Sequence, residues 1–193
     1  MSKYKEKENY VALFKSPEEW KNHVNVKTLQ EYNKYITGSV LDVGCNHAAT
    51  TFWLKEFNIT NVVGIDVNQE SLDHAEFSFK NFPYPYEFKC LDFTQDFKFK
   101  KLFDVVICFH TIEHIYEEDI DVFINNVYKN LKKEGHFIVG LPYENAYNDL
   151  HHVSSYKEDD LINLLEKHKF TTIECFKDDR FEEKDILTGL FKK

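Results

Sequence analysis

Several residues with catalytic or binding chemistry fall at the ends of apolar runs. Val40-Leu41-Asp42-Val43 ends at Gly44, and the turn Cys45-Asn46-His47-Ala48 leads into a helix-like stretch. A second run ends Gly64-Ile65-Asp66, so an acid arrives 22 residues after Gly44. An acid about 20 residues past a strand–turn–helix is the spacing that grips ribose hydroxyls. A third run ends near Asp92 and a fourth at Phe109-His110. These positions offer acids and no lysine or arginine, which suits a neutral or cationic ligand and not a pyrophosphate. The dinucleotide fingerprint G-x-G-x-x-G is also absent.

Just past the fourth run comes His110-Thr111-Ile112-Glu113-His114. Imidazole titrates near neutrality, so a histidine here suits removal of a proton from a hydroxyl or amine. His110, nearest the strand end, is the first choice for that base, and His114 is the second. Glu113 with His114 and either His151 or His152 could also hold zinc or another transition metal. A metal-free polar pocket and purely structural roles compete with that idea, and no metal ligand is assigned from sequence.

The elements that must position these groups alternate. Buried-strand runs are expected at Val40–Val43, Val62–Ile65, Val105–Phe109 and Phe137–Leu141, with Tyr86–Cys90 as a further strand candidate. Helix-like stretches lie at Thr50–Phe57, Gln69–Lys80, Asp119–Lys132 and Lys157–Lys169. Thr171–Phe176 and Ile186–Phe191 should pair as a closing hairpin or as two edge strands. A polar segment from Ser16 to Ile36 reads as an N-terminal helix, with Gly38 closing it. The pattern implies an α/β, Rossmann-like three-layer sandwich with a mostly parallel seven-stranded sheet. In such sheets ligands sit at the carboxyl ends of the strands.

The chain has 193 residues, enough to bury roughly 70% of its unfolded surface without staples. A net charge of −9 argues against binding by neutralisation of nucleic-acid phosphates. No run of apolar residues is long enough to span a membrane, and MSKYKEKENY lacks the core of a secretory signal. The four cysteines form no C-x-x-C pair, so a finger-type zinc site is excluded. Cys90, Cys108 and Cys175, at apolar runs, are expected to be reduced and structural, in a cytoplasmic protein. With no linker or repeat, one domain over 1–193 is expected. The acids at 117–121 and 158–160 fit helix starts, where they meet the positive end of the dipole.

Together the motifs resemble those of class I S-adenosylmethionine-dependent methyltransferases, near the small-molecule group that includes ubiquinone-biosynthesis enzymes. The similar segments are VLDVGCNHA (40–48), VVGIDVNQESLDHA (62–75), CLDF (90–93), FDVVICFHTIEHI (103–115) and LKKEGHFIVGLP (131–142). The resemblance implies S-adenosylmethionine as cofactor. Asp42, Gly44, Asn46 and His47 would lie at the methionine end. Asp66 would bind both ribose hydroxyls, with Val67 packing on adenine. Asp92 and the Phe93 backbone would meet the adenine amino edge, and Phe109 would sit near the sulfonium. His110 to His114 would border the acceptor pocket. Residues 1–36 would form a helical lid, with Tyr10, Phe14, Trp20 and Tyr32 as its aromatic face, over a core at 37–193. The acceptor would be a small molecule, and the protein a monomer or homodimer.

This chain departs from the family turn D-x-G-x-G-x-G in one place. Its second and third glycines are replaced by Asn46 and Ala48. Asn46 is expected to keep the turn because asparagine tolerates positive φ, and Ala48 to open the next helix. A degenerate, non-binding copy of the fold is the main alternative. A metal-assisted RNA 2′-O-methyltransferase with ligands Glu113, His114 and His152 is a weaker one.

Overall fold

A computed structural model describes residues 17–144, 151–178 and 185–193. The chain divides into two compact units, one up to Asp92 and one from Phe93 onward. Seven strands form the mostly parallel sheet expected of a Rossmann-like α/β fold. Among the described residues, no helix is long and apolar enough to cross a membrane.

In the first unit, β1 (Thr37–Val43), β2 (Asn58–Asp66) and β3 (Tyr86–Cys90) run parallel in the order β3-β2-β1. Val40, Leu41, Val43, Val62 and Ile65 are buried, so the two apolar runs face no water. Helix α1 spans Val24–Glu31 and α2 spans Gln69–Ser78. Asn68 starts α2 by accepting the Ser71 amide at 3.0 Å, an N-cap, and Leu72 and Ala75 bury its inner face. Phe52, Phe79, Phe82, Tyr86 and Phe88 pack as a ring cluster, with Phe79 centred 4.5 Å from Phe82 and 4.9 Å from Phe88. Phe77 stays out of it: the ring is exposed and Lys80 lies over it.

Three expectations need correction here. The stretch 16–36 is not one helix, and its first residue lies outside the described ones. It divides into a 3-10 turn at Pro17–Trp20, α1, and a second 3-10 turn at Asn33–Tyr35. His23 causes the break by adopting extended backbone and capping α1 with Nδ1, which accepts the Asn25 amide. Gly38 closes no helix: it sits inside β1 at φ 74°, where the pairing with β2 slips by one residue. Cys90 is exposed, its Sγ donating to the Val67 carbonyl at 3.4 Å, whereas Cys45 and Cys108 are buried.

In the second unit, β4 (Phe103–Phe109) and β5 (Leu131–Pro142) are parallel. β7 (Ile186–Lys192) runs antiparallel to β5, and β6 (Thr171–Asp178) antiparallel to β7, which is the expected closing hairpin. Helices α3 (Glu117–Asn130) and α4 (Glu158–Lys167) carry their acids in the first turn. Asn126 and Asn130, one turn apart and fully buried, splint the chain before β4. Asn126 Nδ2 donates to the carbonyls of Phe93 and Gln95, both at 2.7 Å, and Asn130 Oδ1 accepts the Phe99 amide. β5 begins at Leu131, directly after α3, so Lys132 belongs to the strand and not to the helix.

Candidate functional site

The turn after β1 is built on backbone conformations that side chains resist. Gly44, Asn46 and Ala48 all have positive φ, at 75°, 49° and 60°. Asn46 keeps the left-handed turn as expected. Ala48 does not open a helix; it holds a third left-handed position, ahead of the 3-10 turn Thr51–Glu56. Left-handed backbone costs an L-residue with a Cβ roughly 1–2 kcal/mol, so strain is retained at a glycine-type position. The amides of Gly44 and Cys45 donate to the Ile65 carbonyl at 2.8 and 3.0 Å, tying the turn to the end of β2.

Asp66 occupies that end and is held rigidly. Its Oδ2 accepts the Asn46 amide at 2.8 Å and its Oδ1 the Asn68 amide at 2.9 Å. Burial raises its pKa, and these backbone donors partly oppose the rise. A carboxylate has about four lone-pair sites, so capacity remains for vicinal hydroxyls. Asp42, on β1, is buried and takes a short hydrogen bond from Thr51 Oγ1. Desolvation pushes its pKa up to about 7, against the Thr51 bond, and the Asp66 charge adds to the rise. Val67 and Asp92 are both half-buried. Cys90 pairs with Asp66 across β2 and β3, so Asp92 lies two residues past that pairing.

His47 is buried, and its Nδ1 stands 3.3 Å from Asn46 Oδ1. Desolvation lowers its pKa. The Trp20 ring stacks on His23 at 3.9 Å and meets His47 edge-on at 5.9 Å. Trp20 Nε1–H is buried and finds no acceptor among the described residues. Tyr32, another aromatic residue of the expected lid, is buried, whereas Tyr10 and Phe14 lie outside the described residues. The acids, the donor at Trp20 and the lack of any lysine or arginine between residues 40 and 54 fit a nucleoside carrying an amino-acid tail.

In the second unit, Phe93 is buried against Phe123, with its carbonyl taken by Asn126. Phe109 ends β4, and its ring lies over Gly140 on the neighbouring strand. His110 follows at φ 51°, its amide bonded to the Gly140 carbonyl at 2.8 Å. Its Nδ1 is 3.5 Å from Glu113 Oε1. Glu113 and His114 stand on a 3-10 turn, Ile112–His114. The turn sends His110 toward Glu113 and His114 toward His152, whose ring centroid is 4.9 Å away. Of the residues read from sequence, Asp42, Asn46, His47 and Asp66 gather in the first unit; Glu113, His114 and His152 gather in the second.

Sequence reasoning did not find Thr51, the partner of Asp42, or Gly140, the floor under Phe109. A mid-strand glycine is the signal for such close approach, and Gly140 carried it. Nothing in local pattern marks Thr51, because it meets Asp42 only through the fold.

Residues 40–135 match the family model described as a methyltransferase domain. Ubiquinone biosynthesis O-methyltransferase from Rickettsia canadensis is 33% identical over 116 residues, 58% of this chain and 46% of that protein. The enzyme of that name from Pelagibacter ubique is 30% identical over 129 residues, 67% of this chain and 47% of its own. The chain thus spans about half the length of the curated relatives it matches. In structure it is similar to the N-methyltransferase NodS from Bradyrhizobium japonicum, with a TM-score of 0.73 over 92% of this chain and 96% of that one at 19% identity. NodS has also been solved with S-adenosyl-L-homocysteine. An S-adenosylmethionine-dependent methyltransferase from Clostridium acetobutylicum is equally similar, with a TM-score of 0.73 over 91% and 96% at 17% identity.

Proposed function

The chain belongs to the class I S-adenosylmethionine-dependent methyltransferases, and on that premise we propose that it methylates an oxygen or nitrogen of a small or medium-sized acceptor. The single observation that carries this is Asp66. Two backbone amides already fix its carboxylate, which faces solvent only in part, beside a turn that keeps three positive-φ positions. A decayed cofactor turn would have no reason to retain Ala48 in a strained conformation.

Asp66 holds the ribose hydroxyls, Val67 packs on the adenine, and Asp92 with the Phe93 backbone meets the adenine edge. Gly44, Asn46 and His47 lie along the methionine portion, and Asp42 supports the turn through Thr51. Phe109 borders the sulfonium. S-adenosylmethionine supplies a methyl carbon activated by positive sulfur, so the protein's work is alignment and exclusion of water. His110 accepts the proton that a hydroxyl or amine acceptor must lose, and His114 borders the same acceptor pocket. The relatives are named as O-methyltransferases and NodS as an N-methyltransferase, which supports either acceptor atom. With a net charge of −9, we infer a protein acting on a small molecule and not on nucleic acid, as a monomer or homodimer, and we propose the cytoplasm as its compartment. The domain is read as one methyltransferase unit with its N-terminal 36 residues as a lid, the role that Trp20 against His47 supports.

Calorimetric titration with S-adenosyl-L-homocysteine tests this. The wild type should bind at micromolar concentrations, Asp66→Ala should lose at least about hundredfold (about 2.7 kcal/mol), and His110→Ala should bind within threefold of wild type. A folded wild type that does not bind would mean the degenerate module instead.

A further inference from the structure

The chain has two tryptophans, and the first unit treats their indole N–H groups differently. Trp53 Nε1 donates to the Pro17 carbonyl at 2.8 Å, which ties the turn Pro17–Trp20 to the turn Thr51–Glu56. Trp20 Nε1 is buried and has no acceptor among the described residues. We propose that Trp20, through this N–H, recognises the carboxylate of the cofactor's amino-acid tail. The assignment deepens the proposed function and rests on its cofactor.

An indole nitrogen is a donor only, and one removed from water normally finds an acceptor. A donor left over after folding is therefore retained where a ligand completes it. Trp20 stands against the turn that follows β1. Its ring meets the His47 ring edge-on at 5.9 Å and stacks on His23 at 3.9 Å. His23 is itself held, because its Nδ1 accepts the Asn25 amide at 3.3 Å. Ring contacts and the Trp53 bond thus set the position of the indole before any ligand arrives.

The charges around the turn say which part of the tail this donor takes. An amino-acid tail offers one anionic acceptor, its carboxylate, beside an ammonium that can only donate. Residues 40–54 include no lysine or arginine. Lys21 and Lys55 lie over the Trp53 ring, 6.0 and 4.9 Å from its centroid, and Lys55 also covers Phe52 at 3.7 Å. Burial lowers the pKa of His47, so its imidazole brings no positive charge at neutral pH. Asp42 and Asp66 repel a carboxylate and suit the ammonium and the ribose hydroxyls.

Trp20 is the side-chain donor that these contacts leave unengaged. A neutral N–H on a charged acceptor makes a stronger hydrogen bond than a neutral pair does. Recognition is then divided within the unit: the end of β2 holds the nucleoside, and the N-terminal turn reads whether a carboxylate is present. A nucleoside thioether without that carboxylate keeps the first set of contacts and loses the second.

The test compares S-adenosyl-L-homocysteine with its decarboxylated analogue, by calorimetry on the full chain. The wild type should prefer the carboxylate-bearing ligand by at least about tenfold. Trp20→Phe should weaken that ligand by at least about tenfold and the analogue by less than about twofold. Lys21→Ala should keep the wild-type preference. With isotope-labelled tryptophan, the indole N–H resonance that Trp20→Phe removes should move downfield in the wild type with S-adenosyl-L-homocysteine and not with the analogue. That shift decides the matter if Trp20→Phe fails to fold. Equal weakening of both ligands would mean a structural role and overturn the proposal, as would unchanged affinity in Trp20→Phe, a preference lost in Lys21→Ala, or an unmoved indole resonance. A folded wild type that binds neither ligand would overturn the cofactor reading itself, and this assignment with it.

Discussion

Asp66 and Glu113 are carboxylates of the two units, and the chain treats them in opposite ways. Asp66 sits at a strand end where two backbone amides converge on its two oxygens. Glu113 sits on a 3-10 turn, more deeply buried, with no hydrogen bond to either oxygen among the described residues. Backbone donors come free with a strand–turn–helix, so the first site is satisfied without its ligand and stays rigid while it waits. The second is assembled from side chains, and the nearest group to its carboxylate is the His110 imidazole, with Nδ1 3.5 Å from Oε1. A pre-satisfied acid suits recognition of neutral hydroxyls; one without backbone donors relies on its side-chain neighbour.

Asp42 gives the sharpest way to probe the satisfied site, and the largest expected effect on stability. Its pKa is about 7 when folded against 3.8 for the free residue, with burial the main cause. The native state therefore holds a proton that the unfolded chain has lost between about pH 4 and pH 7. Stability must fall as pH rises through that window and level off above it. The slope is on the order of 1 kcal/mol per pH unit, and the raised pKa of Asp66 acts in the same direction. Urea midpoints at pH 4.5, 6, 7.5 and 9 read it out. Asp42→Asn should flatten the profile, and an unchanged slope in that variant would show that Asp42 is not its source.

Both units also use a strand glycine as a floor for an aromatic ring, which allows a matched pair of substitutions. A Cβ on Gly64 would stand 2.6 Å from the Phe88 ring and 2.8 Å from Cys45 Sγ. The three atoms nearest a Cβ on Gly140 all belong to the Phe109 ring, the first at 2.7 Å. Gly64→Ala should therefore cost more, about 2–3 kcal/mol, than Gly140→Ala, about 1–2 kcal/mol, since one displaced ring relaxes more easily than a ring and a thiol. Denaturant melts measure both. Gly140→Ala should leave S-adenosyl-L-homocysteine affinity closer to wild type than Gly64→Ala, whose clash reaches the residue that opens the cofactor turn. The reverse order would mean that Phe109 is the less tolerant partner.

How much of this could be read from sequence follows the same division. All seven strands were legible: β1, β2, β4 and β5 as buried apolar runs, β6 and β7 as a closing hairpin, and β3 as a candidate that matched from Tyr86 to Cys90. Asp66 was legible because a fixed spacing from Gly44 carries its role. The break at His23 was not, because helical periodicity hides a residue that leaves the helix to cap the next one. Thr51 and the approach of His152 to Glu113 depend on contacts distant in the chain. Sequence offered His152 beside His151 and named it in one alternative; the fold is what brings its ring within 4.9 Å of His114.

Ala48 offers the smallest effect and the most direct view of what the satisfied site costs. Its φ of 60° is one that glycine adopts freely and alanine does not. Ala48→Gly removes roughly 1–2 kcal/mol of left-handed strain and returns about 0.4–1 kcal/mol as extra freedom of the unfolded chain. The expected net is a gain of about 0.5–1 kcal/mol in unfolding free energy, read from urea melts. Because the conformation is already left-handed, the turn should not move, and S-adenosyl-L-homocysteine affinity should stay within threefold. A loss of stability would mean that the buried Ala48 methyl contributes more through packing than its backbone costs in strain. Asn46→Gly should show less gain than Ala48→Gly, since asparagine tolerates φ near 49° and loses its contact with His47. That ordering, alanine before asparagine, follows only if the turn is held in place by the amides that reach Asp66 and Ile65, with the side chains merely tolerated.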